Sequence, residues 1–77
     1  MKEVHKIALS RTPKEWQRLT KSTSNLDRAF YYNALKRLAE ALQKGDKDEI
    51  ETWTFNAEEL KKHLEAKGLF EGCDKNG

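Results

Sequence analysis

The stretch from Leu26 to Lys44 constrains this chain more than any other. Leu26, Phe30, Tyr31, Ala34, Leu35, Leu38, Ala41 and Leu42 recur at helical spacing, with Arg28, Asn33, Lys36, Arg37, Glu40 and Gln43 on the other side. Gly45 follows as a natural stop, because the residue after a helix often takes the left-handed backbone that glycine adopts freely. In a chain of only 77 residues, a helix of this length is the spine on which the rest must pack.

The flanking segments predict two strands and two more helices. Residues 4–10 alternate, with Ile7 and Leu9 on one face and Lys6, Ala8 and Ser10 on the other, which reads as a strand. Thr12-Pro13-Lys14-Glu15 is a helix start: a capping threonine, proline at the first helical position and a glutamate that closes a capping box. That helix is short, with Trp16 and Leu19 pointing one way, and residues 20–25 form a polar connection. Ile50 to Phe55 is rich in β-branched and aromatic residues, which predicts a second strand. Asn56 then caps a last helix, with Leu60 and Leu64 inward and Gly68 at its end, where Leu69 would touch Leu64.

The expected fold is therefore α+β: a small single domain over residues 1–70, mostly helical, in the order β-α-α-β-α, with a minimal two-stranded sheet and a disordered tail over 71–77. Two strands make a weak sheet. Either the helices carry the core or the strands extend a sheet across a homodimer. The expected core is Ile7, Leu9, Trp16, Leu19, Leu26, Phe30, Leu35, Leu38, Leu42, Trp53, Phe55, Leu60 and Leu64. Tyr31 fits the stripe, and Tyr32 falls at its edge.

Charge supplies the functional signal. The net charge is only +2, but residues 1–44 carry +6 and residues 45–77 carry −4. The basic residues of the first half lie among hydroxyl and amide groups near two helix starts, the chemistry that meets phosphate. The expected nucleic-acid-binding set is Lys6, Arg11, Lys14, Arg18, Lys21, Ser22 and Arg28. The chain then reads as a small, non-enzymatic regulatory protein that binds DNA or RNA through its basic half. The alternative is a protein–protein interaction module or inhibitor using the second strand and third helix, where Trp53 and Phe55 sit in an acidic segment. An ordinary solvated face would also account for the lysines.

Other chemistry finds little support. No apolar run is long enough to cross a bilayer, and Met1-Lys2-Glu3-Val4-His5-Lys6 is not a secretory signal. The lone Cys73 can form no internal disulfide, so a cytoplasmic protein is expected. His5, His63 and Cys73 are too scattered for zinc, and Asp46-Lys47-Asp48-Glu49 lacks the rest of a calcium loop. Glu58 and Glu59 suit a helix N-terminus better than paired acid–base work. No cofactor, metal or catalytic residue is expected.

The stretch from Lys6 through Arg11, Trp16 and Leu19 resembles the strand and first helix of a ribbon-helix-helix repressor. That resemblance implies paired strands in a dimer, with Lys6, Ala8 and Ser10 facing bases. The chain departs from the family in its short connection to the long helix and in residues 46–77, which have no counterpart there. With the long helix added, the same stretch is also similar to the N-terminal half of RelE-type ribonuclease toxins. The antiparallel sheet that carries their catalytic side chains is missing, so no catalytic residue follows.

Overall fold

A computed structural model describes residues 2–68. Among them the order is four helices: α1 (Glu3–Leu9), α2 (Pro13–Ser22), α3 (Leu26–Lys44) and α4 (Lys47–Lys67). No strand occurs among the described residues, which overturns the α+β expectation, the two-stranded sheet and the ribbon-helix-helix pairing that needed a strand at residues 6–10.

The two segments read as strands turned helical for one reason. Both contain two periodicities, and a seven-residue window does not separate them. In residues 4–10, Val4 and Ala8 are buried at a spacing of four, while Leu9 is 45% exposed. The helical pair won over the alternating pair of Ile7 and Leu9. In the second segment, Ile50, Trp53, Thr54, Ala57, Leu60 and Leu64 form one inward stripe that continues without a break through α4. Intrinsic propensity differences below about 0.7 kcal/mol per residue cannot hold out against such burial. Asn56, expected as a cap, lies inside α4 and donates from Nδ2 to the Thr52 carbonyl at 2.9 Å. The cap of α4 is Asp46, whose carboxylate accepts from the Glu49 amide at 3.3 Å.

The starts of α2 and α3 and the ends of α3 and α4 follow their sequence signals, whereas α2 runs on through Ser22 into the stretch read as a connection. Thr12 and Glu15 form the capping box of α2, with Pro13 in its first turn. Asn25 caps α3 by accepting from the Arg28 amide at 3.0 Å. Gly45 ends α3 at φ 75°, and Gly68 ends α4 at φ 72°. Nothing crowds a side chain at Gly45, so only backbone strain opposes one. Gly45→Ala is expected to cost about 1 kcal/mol, read as a fall in the urea midpoint at unchanged slope. An unshifted midpoint would contradict the left-handed end. The Leu69 contact and the tail over 71–77 lie outside the described residues.

Helix α3 is the spine. Helices α1, α2 and α4 all pack on it, α1 also touches α4, and α2 is tied to α1 by the Trp16–Ala8 hydrogen bond. Five alanines (Ala8, Ala34, Ala39, Ala41 and Ala57) are almost wholly buried, and such small side chains let helix axes approach closely. Around them lie Val4, Trp16, Tyr31, Tyr32, Leu35, Leu38 and Leu64. Ile7, Leu19, Leu42, Trp53 and Leu60 pack at the margin.

Four expected core residues are outside: Leu9, Leu26 (72% exposed), Phe30 and Phe55 (63%). On α3 the apolar stripe is wider than its partners cover. Phe30 lies about 100° around the helix from Tyr31, and the three neighbours close only over the Tyr31–Leu35–Leu38 sector. Tyr32, expected at the edge, is buried because Trp16 stacks on it at 5.9 Å.

Candidate nucleic-acid interface

Helix α2 carries three of the six basic residues singled out from the sequence, and its inner side explains its position. Trp16 is buried and donates from Nε1 to the Ala8 carbonyl at 2.8 Å. That carbonyl lies at the end of α1, where intrahelical partners run out. The Arg11 guanidinium sits 5.3 Å from the centre of the Trp16 ring, on the linker between the two helices. Thr20 ties the same turn by donating to the Trp16 carbonyl at 2.8 Å.

The outer side follows from spacing. Lys14, Gln17, Arg18 and Lys21 fall at i, i+3, i+4 and i+7, and together they line a shallow depression of about 350 Å³. All four are exposed. Among the described residues, Lys14, Arg18 and Lys21 form no ion pair with a carboxylate. Ser22 lies one turn beyond Arg18, with its hydroxyl donating to the Leu19 carbonyl at 3.2 Å. The acid on this helix, Glu15, is held by Thr12: its carboxylate accepts from the Thr12 amide at 2.9 Å. That bond holds the Glu15 carboxyl below its ordinary range, helped by Arg11 and Arg18.

Helix α4 is different. Three of its lysines are paired: Lys61 with Glu65 at 2.9 Å and Glu3 at 3.5 Å, Lys62 with Glu59 at 3.9 Å, and Lys67 with Asp27 at 3.1 Å. Hydrogen bonding to Glu65 holds the Lys61 ammonium above its usual range. Three unpaired cations of the first half thus share one face of α2.

The structure brings together Lys14, Arg18, Lys21 and Ser22, with Arg11 on the linker that leads into the same helix. It does not bring in Lys6, which is exposed on α1, or Arg28, which is half-buried on α3. Gln17 was missed, although its spacing of three from Lys14 marks it as a member of this face.

A second depression, of about 430 Å³, runs between α1 and α4 and includes His5, Ile50, Thr54 and the exposed Phe55. The region of the expected second strand thus presents Phe55 outward, while Trp53 packs against the core. His5 Nε2 hydrogen-bonds Thr54 Oγ1 at 2.7 Å, and Thr54 is buried. Burial, then the nearby Lys2 charge, pushes the His5 imidazole below its ordinary 6.5, with Glu58 acting the other way. A histidine whose folded pKa is depressed binds more protons when unfolded, so acid destabilises the fold as pH drops below 6.5. His5→Gln is expected to show a smaller fall in melting temperature between about pH 7 and pH 5 than the parent. Equal falls in both would remove His5 as the cause.

Among the described residues, no three His, Cys, Asp or Glu side chains come together as metal ligands. No described helix is long and apolar enough to cross a membrane. No protein-family model, curated protein or solved structure matches the chain.

Proposed function

We propose that this chain is a small regulatory protein that binds nucleic acid through the outward face of α2. The observation that carries the reading is the set of three exposed, unpaired cations, Lys14, Arg18 and Lys21, on one face of a well-anchored helix. Exposed charges gain little from staying unpaired, whereas a phosphate backbone draws them by releasing its condensed counterions. Ser22 and Gln17 add hydroxyl and amide groups of the kind that hydrogen-bond phosphate oxygens. The role requires no reaction, and a cytoplasmic setting suits a chain whose single cysteine can form no internal disulfide.

The test is a titration of the purified protein against labelled DNA and RNA across a salt series. With three to four phosphate contacts, the slope of log affinity against log salt should be roughly −3 on duplex DNA. No binding even at low salt would remove the proposal. An exposed Phe55 beside its groove favours the second reading, a protein-interaction module using α4. On that reading, Phe55→Ala would weaken binding to a partner and charge changes on α2 would not.

A further inference from the structure

We infer that the hollow between α1 and α4 is where two copies of this chain pair, antiparallel through α4, with Phe55 of each copy seated in the hollow of the other. This surface is separate from the basic face of α2, so the inference goes beyond the reading above.

The first observation is a knob beside a hole. Phe55 is 63% exposed, a large apolar ring turned to water. It stands at the rim of the depression of about 430 Å³ that also takes in Ile50 and Thr54. Hollows of about 300–1,000 Å³ are the size that receives a bound group. Aromatic rings seated in such pockets are the usual anchors of protein interfaces. Here one patch carries both the anchor and the pocket, which is what an interface between two identical surfaces requires.

The second observation is register. Lys47, Ile50, Glu51, Thr54, Phe55 and Glu58 follow one another at helical spacing, and all six line this depression. In an antiparallel pair of helices, facing positions advance in one copy as they retreat in the other. Setting Phe55 on the other copy's Ile50 therefore sets Lys47 on the other copy's Glu58. A single register thus makes an apolar contact and an ion pair, and two-fold symmetry makes each of them twice. Lys47 forms no ion pair within its own chain among the described residues. Glu58 meets Lys2 at 3.6 Å, both partly exposed, and a carboxylate has room for a second donor.

The third observation is charge. The charged lining is Lys2, Lys47, Glu51 and Glu58, two of each sign. His5, pushed below its ordinary 6.5 by burial, adds no charge at pH 7. A patch that meets itself must not repel itself, and this balance meets that condition. A strongly acidic or strongly basic partner finds no surplus charge here to select it. A core as thin as that of a 77-residue chain also gains from association.

The experiment is sedimentation equilibrium of the full chain and four variants. The parent's mass is expected to move from one chain to two over roughly 5–500 µM, the range of a small interface. Phe55→Ala should raise the dissociation constant by roughly 30-fold or more. Phe30→Ala, at a ring 58% exposed on α3, should pair like the parent. Lys47→Glu and Glu58→Lys should each pair weakly alone, because like charges then face each other. Mixing these two should restore pairing, because each facing position then holds opposite charges. Unchanged melting temperatures check that the variants fold. A single chain across the whole range would overturn the inference and leave the groove to a different protein. Equal loss in Phe30→Ala would overturn it by placing the contact elsewhere, and mixing without recovery would overturn the antiparallel register. None of these outcomes bears on nucleic-acid binding by α2, which the salt series tests separately.

Discussion

Trp16→Ala is expected to leave a chain that does not hold its fold at room temperature. Trp16 is among the largest fully buried side chains and the single buried anchor of α2. Truncating a buried tryptophan costs about 3–5 kcal/mol, because the lost burial and the cavity add. A domain of this length has roughly 4–12 kcal/mol in all. Further losses come with the ring. The Ala8 carbonyl loses its donor, Tyr32 loses its stacking partner, and the Arg11 guanidinium loses the face it lies over. Trp16→Phe separates these contributions. It keeps most of the apolar contact but leaves the Ala8 carbonyl unpaired, at a cost of about 1–3 kcal/mol from that bond alone. Urea unfolding followed by far-ultraviolet circular dichroism reads both variants. A Trp16→Ala protein with the parent's midpoint would mean that α2 is held by something other than this ring.

Reversing Lys14, Arg18 and Lys21 to glutamate is expected to abolish nucleic-acid binding while the fold survives. The size of the effect follows from counterion release. Each phosphate contact contributes about 0.9 to the salt slope, so at 0.1 M salt each is worth roughly eightfold in affinity. Three contacts together are worth roughly 500-fold, and the reversed charges add repulsion. The three side chains are exposed, and glutamate is nearly as good a helix former as lysine or arginine, so α2 itself should persist. The control reverses Lys47 and Lys62, two exposed lysines of α4, a helix that does not contact α2. That control should change affinity little. If the triple variant binds as well as the parent, or if the control loses as much, the interface is not on α2. Loss of binding by the triple variant alone assigns it there.

Much of the helical scaffold was legible in the residues. The capping box at Thr12–Glu15, the α3 stripe and the glycines at 45 and 68 are local devices. Each works through contacts within a turn or two of the chain, so each can be read from a few neighbouring residues. The basic face of α2 was legible for the same reason: once Thr12 and Pro13 place the helix start, the spacing of Lys14, Arg18 and Lys21 sets their common side. Lys6 and Arg28 were grouped with them by sequence proximity and charge alone. Neither shares that helix, and the fold placed them elsewhere.

What the sequence by itself determined is where α2 begins, where α3 begins and ends, where α4 ends and which way α2 carries its charge. What only the tertiary structure decided is which side of each apolar segment is covered. Residues 4–10 and 50–55 each contain an alternating pattern and a helical one, with little local energy between them. The choice fell to packing on α3: Val4, Ala8, Thr54 and Ala57 could be buried together only as helix faces. The same packing left Leu26, Phe30 and Phe55 outside and drew Tyr32 in beneath Trp16. A three-neighbour spine covers one sector of a wide stripe, and which sector is covered depends on partners far away in the chain.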